Sequence, residues 1–290
     1  MSDIAEHDAP VAQPIDVQWI HGSVSSKHNT DPDIQVFWYD EDTVILRQNK
    51  AIDYEAPFMF LLFGQSRVLL LDTGATSSPD FFPLRTLVDE LIASWQQRNA
   101  CDGTDYELLV LHTHSHGDHV AGDNQFADRP GTTLVSAEKE TAWGYLGFAD
   151  DPGAVVTLDL GQRTLDVFTT PGHDAAAVTF YDRRTGILFT GDTVYRGRLY
   201  IPDWQAFTAS IDRLVDFCAS HPVTHVIGCH IEMTTTPGVD YPVLTTFQPD
   251  EPPLEMTVEH LRAVQAALRD AGSEPVRYVS EDFILWPVGD

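Results

Sequence analysis

The stretch Leu111-His112-Thr113-His114-Ser115-His116-Gly117-Asp118-His119 places four histidines and a carboxylate directly after an apolar run. That run, residues 106–111, has the pattern of a buried strand, so the histidines lie at the carboxyl end of a strand. A core strand gains nothing from neighbouring polar groups that would each need a buried partner, whereas imidazole and carboxylate suit Zn²⁺ and its first-row neighbours. The stretch therefore predicts a metal site.

The spacing within this stretch allows two metal positions. His114 and His116 are two residues apart, and such residues point to the same side of an extended segment, so they can converge on one ion. Asp118 and His119 follow Gly117, which permits a sharp turn and lets them face a second position beside the first. One short segment can thus supply ligands to two metals.

Further ligands are expected at the ends of other apolar strands, because each ion needs about three or four protein ligands. Three later segments pair a strand end with glycine and a ligand-type residue: 165–173, 187–192 and 223–230. Loops at strand ends are where a rigid scaffold usually carries chemistry. These segments add His173, Asp192 and His230 to the candidate set.

At these residues the chain resembles the metallo-β-lactamase superfamily over roughly residues 36–230. The family motif His-x-His-x-Asp-His is matched at 114–119, and Leu71-Asp72-Thr73-Gly74 is similar to the family's early aspartate motif. The resemblance implies two zinc ions per chain that share Asp192 as a bridging ligand and are held by two sets of residues: His114, His116 and His173, and Asp118, His119 and His230. Asp72 would orient a ligand from behind.

The resemblance also narrows the chemistry. His116 stands where the oxygen-reducing diiron branch has a carboxylate, and Asp192 stands where true β-lactamases carry cysteine or serine. The remaining branches imply a zinc-dependent hydrolase of a thioester or lactone, in which a metal-bridging hydroxide attacks and Asp118 accepts the proton. The alternatives are an iron-dependent oxidoreductase of the same fold, similar to persulfide dioxygenases, or phosphodiesterase or β-lactamase side activity, with iron or manganese as other possible metals. A metal-binding protein without catalysis is a third alternative.

The sequence indicates the residues that determine substrate specificity less clearly than it indicates the metal ligands. Tyr195 lies three residues after Asp192, the spacing at which lactonases of the superfamily use a phenol to stabilise an oxyanion, but simple packing explains it equally well. An arginine pair follows, which either receives a substrate carboxylate or phosphate or pairs with surface acids. The pocket candidates are Arg196, Arg198, Tyr200, Glu232, Trp143 and Tyr145. Among the histidines, His112 is expected to pack or to support a ligand, and no metal role is expected for His21, His28, His221, His225 and His260.

Composition limits the partners. The chain of 290 residues has 44 acidic against 17 basic side chains and a formal net charge of −27, a field that repels nucleic acid and anionic membranes. A small-molecule substrate is expected instead. Three widely spaced cysteines, Cys101, Cys218 and Cys229, indicate no disulfide framework, and the sequence has no apolar run of about 20 residues. Its acidic first residues lead us to expect no signal peptide. These features favour a cytoplasmic protein.

The coarse pattern predicts an α/β fold, and the family resemblance makes it an αββα four-layer sandwich with the metals at the edge between two sheets. Three regions are expected: a polar N-terminal lead at 1–33, a catalytic domain at 34–230, and a C-terminal extension at 231–290 packed on the same domain. Strands are predicted at 34–39, 43–48, 57–63, 67–72, 106–111, 154–158, 164–169, 176–182, 186–190, 223–227 and 283–287. Helices are predicted at 80–98, 119–127, 138–146, 204–220 and 256–271. The last strand either closes a sheet edge or pairs with another subunit in a homo-oligomer.

Overall fold

The computed structural model describes residues 9–99 and 106–289, so Cys101 lies outside the described residues. The strands are β1 (Ile34–Asp40), β2 (Thr43–Gln48), β3 (Phe58–Phe63), β4 (Arg67–Leu71), β5 (Glu107–Leu111), β6 (Thr132–Leu134), β7 (Val156–Asp159), β8 (Thr164–Thr169), β9 (Val178–Asp182), β10 (Ile187–Gly191), β11 (Arg198–Ile201), β12 (His225–Gly228), β13 (Tyr278–Val279) and β14 (Ile284–Pro287). The helices are α1 (Leu84–Arg98), α2 (Gly117–Val120), α3 (Lys139–Leu146), α4 (Trp204–Ser220) and α5 (Val258–Ala271), with 3₁₀ turns at Ser26–His28 and Ala121–Gln125.

Two large sheets carry most of these strands. The first has the order β1-β2-β3-β4-β5-β6, antiparallel up to β4 and parallel from β4 to β6. The second has the order β12-β10-β9-β8-β7, with β10 and β12 parallel. Parallel neighbours need a crossover connection, and here α1 links β4 to β5 while α4 links β10 to β12. Each half of the chain is therefore a sheet covered by a helix.

The apolar side chains divide into three layers that match this order. Side chains from the facing surfaces of both sheets form one cluster, in which the rings of Phe60 on β3 and Phe189 on β10 lie 4.6 Å apart. A second cluster packs α1, through Trp95, on the outer face of the first sheet. A third packs α4 and α5, through Phe207 and Leu261, on the second sheet. This arrangement confirms the predicted αββα sandwich.

The sequence of strand β4 is a continuous apolar run because both faces of the strand are buried. Leu69 and Leu71 belong to the cluster between the sheets, while Val68 and Leu70 belong to the cluster beneath α1. Alternate side chains point to opposite faces of a strand, and here both faces are covered. Because the strand is packed on both faces, the residues that follow it have little freedom to move.

A buried ion pair ties the two sheets together. Arg163, in the turn before β8, lies 2.7 Å from Asp182 Oδ2 and also donates to the Thr43 hydroxyl on β2 and the Phe63 carbonyl oxygen on β3. Burial alone would raise the pKa of Asp182, but the guanidinium and the Thr185 hydroxyl outweigh burial and hold this pKa below its usual range. The pair therefore stabilises the fold only while Asp182 is ionised.

Several element boundaries differ from the prediction for local reasons. The first long helix begins at Leu84 instead of residue 80, because Pro83 disfavours helical backbone at the residue before it. The predicted helix at 119–127 is a single α-turn followed by a 3₁₀ turn. The short strands β6, β11 and β13 were not predicted, since they gain their pairing from distant segments.

The two ends of the described chain pack on this sandwich. In the lead, which was expected to be polar, Ile15 and Trp19 are buried in the cluster between the sheets, and the Trp19 ring contacts Phe58. At the other end β14 lies between β11 and β13, so both of its edges are paired within the chain. None of the described helices is long and apolar enough to cross a membrane.

Candidate metal centre

The candidate ligands all follow strands whose ends meet at one edge of the sandwich. The parallel strands β4 and β5 run into Asp72 and the histidine segment, and the parallel strands β10 and β12 run into Asp192 and His230. The two sheets approach closely here, because a Cβ on Gly191 would lie 2.6 Å from the Thr113 Cβ atom. Gly191 also has φ +53°, a backbone conformation that favours glycine.

A first group of ligand atoms comes from three histidines. The ligand-type atoms of His114, His116 and His173 all lie within 4.8 Å of one another. His173 Nε2 is 3.0 Å from His116 Nδ1, and the His114 and His173 rings are 5.0 Å apart. The structure thus brings the two histidines at the end of β5 together with the histidine of the Pro-Gly-His turn.

A second group combines carboxylates and histidines. The ligand-type atoms of Asp118, His119, Asp192 and His230 also lie within 4.8 Å of one another. Asp118 Oδ2 is 3.3 Å from His119 Nε2 and 3.2 Å from His230 Nε2. The one-turn helix α2, which begins at Gly117, turns these two neighbouring side chains toward this second position.

Asp192 lies between the two groups. Its Oδ2 atom is 3.4 Å from His230 Nε2 in the second group, and 3.8 Å and 4.0 Å from the Nε2 atoms of His173 and His114 in the first. Its Oδ1 atom is 3.6 Å from His119 Nε2. One carboxylate therefore faces both groups, the arrangement needed for a bridging ligand.

The chemistry of this donor set fits a pair of divalent cations. Two buried atoms, His114 Nε2 and Asp192 Oδ1, have no hydrogen-bond partner in the described part of the chain. His119 Nε2 and His230 Nε2 face each other at 3.3 Å, where two lone pairs repel unless a proton or cation lies between them. Nitrogen and carboxylate donors at this density suit zinc, iron or manganese.

The pKa values of the two groups differ in direction. Burial lowers the pKa of His114 well below the ordinary histidine value and also lowers that of His173, so both imidazoles present lone pairs. For His119 and His230 burial acts the same way, but Asp192 and its neighbouring carboxylates outweigh burial and raise the pKa well above the usual value. Protons held by this second group are those that a bound cation would displace.

Asp72 supports the second group from behind. It is fully buried, and its Oδ2 atom lies 3.0 Å from His119 Nδ1, while it accepts hydrogen bonds from the Thr113 backbone N–H and hydroxyl and from Cys229 Sγ. Its backbone has φ +67°, a region that aspartate adopts more readily than most residues. The early aspartate motif therefore contacts His119 from the side away from the second group, and its orienting role stays a prediction.

Two other candidate ligands are held by backbone carbonyl oxygens that contact their second ring nitrogen. His173 Nδ1 lies 2.9 Å from the Tyr200 carbonyl oxygen, and His230 Nδ1 lies 3.2 Å from the Glu55 carbonyl oxygen. Such partners fix the tautomer and leave Nε2 free to coordinate. His116 uses Nδ1 toward the first group, and its Nε2 atom lies 3.7 Å from Asp174.

The site opens into a cavity of about 320 Å³. Its lining includes the candidate ligands His116, Asp118, His173, Asp192 and His230, together with Glu55, Tyr195, Tyr200, Pro202, Glu232 and Val288. Tyr200 and Glu232 were candidates from the sequence. Glu55 was not, because its segment between β2 and β3 carries no motif and reaches the site only through folding.

The remaining pocket candidates have other partners. Arg196 pairs with Asp282, and Arg198 lies 2.6 Å from Glu232 and 2.7 Å from Asp240, which favours the salt-bridge interpretation of the arginine pair. Arg198 also lines a small cavity beside the site. The Trp143 indole donates to the Ala176 carbonyl oxygen within the core. Tyr145 is 43% exposed on α3. His112 Nδ1 lies 3.2 Å from the His119 carbonyl oxygen, so this ring supports the ligand segment.

Tyr195 lies at the site but is already hydrogen bonded. It is buried, and its hydroxyl donates to the Arg198 carbonyl oxygen and lies 3.1 Å from Glu232 Oε2. A hydroxyl has one hydrogen to donate. This geometry favours packing over oxyanion stabilisation, and the catalytic role stays a prediction.

Among the described residues, the other histidines lie outside the two ligand groups, whereas the Cys229 Sγ atom lies within 4.8 Å of ligand-type atoms of His119 and Asp72. His260 replaces the usual glutamate of a capping box: its Nδ1 accepts from the Thr257 backbone N–H at the start of α5. Cys218 and Cys229 are free thiols. Burial raises the pKa of the Cys229 thiol, which disfavours its thiolate form as a metal ligand.

The family model of the metallo-beta-lactamase superfamily matches residues 53–225. The chain belongs to this superfamily. The fold of the chain is also similar to those of solved structures. The match to DIM-1 metallo-beta-lactamase has a TM-score of 0.55 and 15% identity, and it covers 84% of this chain and 100% of that one. A metallo-beta-lactamase from Pontibacter korlensis matches with a TM-score of 0.53 and 18% identity over 82% of this chain and 99% of that one.

Curated relatives within the superfamily are named as hydrolases. A hydroxyacylglutathione hydrolase of Chelativorans sp. (strain BNC1) is 33% identical over 129 residues, 43% of this chain and 49% of the relative. The human acyl-coenzyme A thioesterase MBLAC2 is 30% identical over 210 residues, 59% of this chain and 72% of the relative. The chain spans about half the length of the first of these relatives.

Proposed function

We propose that this chain is a metal-dependent hydrolase of thioesters with a dinuclear zinc centre. The observation that carries the proposal is the position of Asp192, whose carboxylate lies within 4.0 Å of ligand-type nitrogens in both groups. The seven proposed ligands are His114, His116, Asp118, His119, His173, Asp192 and His230. A single-metal oxidoreductase needs only the first group, so the complete second group favours hydrolysis.

The relatives' names favour a thioester among the ester-type bonds. An acyl-coenzyme A thioesterase and several hydroxyacylglutathione hydrolases match the chain, and both names describe release of an acyl group from a thiol carrier. A lactone is the second choice, because the tyrosine that supported it from the sequence, Tyr195, has its hydroxyl bound to protein acceptors. A cavity of about 320 Å³ fits a small-molecule substrate.

Two cations held at the proposed ligands would supply an activated water and an electrophilic contact for the substrate carbonyl oxygen. The chain's own residues do the rest. Asp72 fixes the orientation of His119 through their 3.0 Å contact. Asp118 directs Oδ2 at His119 and His230, and we assign acceptance of the nucleophile's proton to its other oxygen, Oδ1. Buried walls on β10 and β12 keep bulk water away from one side of the site.

The domain organisation and the cellular compartment are separate parts of the proposal. We place the catalytic domain at 34–230, with 231–290 packed upon it, because β14 pairs with β11 and α5 packs against α4 in the same cluster. Two free thiols, Cys218 and Cys229, suit a reducing compartment, which favours the cytoplasm.

A hydrolysis screen tests the proposed function. Zinc-loaded wild type, Asp192→Ala and the control Asp270→Asn, an exposed residue on α5, are assayed on acyl thioesters, lactones, phosphodiesters and β-lactams. We expect thioesters to give the highest kcat/KM, with turnover lost in Asp192→Ala and kept in Asp270→Asn. Hydrolysis unaffected by Asp192→Ala would contradict the bridging role, and oxygen consumption by an iron-loaded protein would favour the oxidoreductase alternative.

A further inference from the structure

Within the described part of the chain, a buried lysine beside the metal centre lacks a carboxylate partner. The sequence has only three lysines, and Lys50, in the segment between β2 and β3, is 3% exposed. Its Nζ atom donates one hydrogen bond, to the Tyr54 carbonyl oxygen at 2.9 Å. No carboxylate oxygen of the described residues lies within the 4.0 Å that defines an ion pair with Nζ. An ammonium has three hydrogens to donate, and lysine is almost never fully buried unless it is paired.

The nearby acids mostly have arginine partners. Glu251 binds Arg47 through two hydrogen bonds, one of them 2.6 Å long, and Glu232 binds Arg198 at 2.6 Å. Burial, followed by the charge of Arg47, lowers the pKa of Lys50 to about 8, so the group is still largely a cation at neutral pH. Among the described residues, Lys50 therefore has glutamates near it but no ion-pair partner within 4.0 Å.

Lys50 lines a small cavity that adjoins the metal site. The cavity measures about 60 Å³ and shares Glu55, Tyr200, His230 and Glu232 with the larger cavity at the metal centre. A cavity of this volume has room for more than one water molecule and so for a group the size of a carboxylate. The Gln248 side chain also lines it, with a buried Oε1 atom that has no hydrogen-bond partner in the described part of the chain.

We propose that Lys50 binds a carboxylate of the substrate in this small cavity, so that the preferred substrates are thioesters bearing an acidic group near the scissile bond. This inference rests on the proposed function and names its substrate class. The acidic group belongs either to the acyl part or to the thiol part, and both place the same chemistry beside Lys50. Glu55 lines the same cavity, and its negative charge opposes the carboxylate, which makes Glu55 a second residue on which to test the idea.

Binding of thioether analogues tests the inference without turnover. In these analogues a methylene replaces the scissile carbonyl, and each is prepared as a carboxylic acid and as the neutral carboxamide. One pair carries the acid on the side of the acyl group and the other pair on the side of the thiol. Calorimetry on the zinc-loaded protein compares wild type, Lys50→Met, Glu55→Gln and the control Lys27→Met, which removes an exposed lysine.

We expect wild type to bind the acid at least about tenfold more tightly than the amide in one of the two pairs, since charge-assisted hydrogen bonds are worth that much. The ratio should fall to about one in Lys50→Met, rise in Glu55→Gln and stay unchanged in Lys27→Met. Equal binding of acid and amide by wild type in both pairs would overturn the inference, as would binding of neither. A wild-type protein that binds the acids selectively but cleaves no thioester would overturn only the proposed function.

Discussion

Asp72→Asn tests whether the residue behind His119 controls metal binding. Asp72 accepts at one oxygen from the Thr113 backbone N–H at 2.7 Å, and its other oxygen faces His119 Nδ1, the Thr113 hydroxyl and Cys229 Sγ. Asparagine offers one oxygen and one NH₂ group. Its best orientation turns the oxygen to the three donors and leaves the Thr113 N–H facing an NH₂ group. Asparagine also tolerates the φ of +67° at this position, so the backbone is not strained by the change.

The expected magnitude follows from this geometry. One buried N–H loses its acceptor, at about 1–3 kcal/mol of unfolding free energy, and the contact to His119 loses its charge. Changes of this kind behind a ligand cost about 10–100-fold in metal affinity. The assay is zinc titration against a chromophoric chelator, with urea unfolding of the metal-free protein to measure the stability part separately. Wild-type zinc affinity in a folded Asp72→Asn protein would refute the reasoning.

Three further changes separate stability from function. Asp182→Asn leaves its buried arginine partner unpaired and should lower the free energy of unfolding by about 3–5 kcal/mol at pH 7. Since the pKa of Asp182 is lowered in the folded protein, this difference from wild type should shrink as the pH falls below about 4, as measured by urea unfolding. Gly172→Ala places a Cβ 2.4 Å from the backbone of α4 and should cost about 1–3 kcal/mol in thermal unfolding, whereas Gly144→Ala, which has open space on α3, should be neutral or stabilising. Tyr195→Phe should lower kcat by less than about tenfold, because its hydroxyl is bound to protein; a loss of about 10²–10³ would instead support the oxyanion role.

The sequence predicted the parts of the site that depend on local geometry. Residues two apart on an extended segment share a side, which was enough to bring His114 and His116 together. Neighbouring parallel strands end at one edge, which explains why Asp72 meets His119 and why Asp192 meets His230. The layers of the sandwich followed from apolar strands and amphipathic helices together with the family resemblance.

The parts that depend on distant pairing were not predictable in this way. Glu55 and Lys50 reach the site from a segment without a motif, because β2 and β3 fold back across the first sheet. The strand β11 exists because it pairs with β14, which lies more than 80 residues later. The lead was read as polar from its prolines and charges, although the alternation of Ile15, Val17 and Trp19 was a usable signal for one buried face.

Metal stoichiometry tests the central claim most directly. The wild-type protein is purified without chelators, and its metals are counted by mass spectrometry beside Asp192→Ala and the exposed control Asp270→Asn. We predict about two zinc ions per chain in wild type and in the control, and fewer than two in Asp192→Ala, because that change removes the one carboxylate that faces both groups. A single iron per chain, or a zinc content unchanged by Asp192→Ala, would contradict the bridged dinuclear centre.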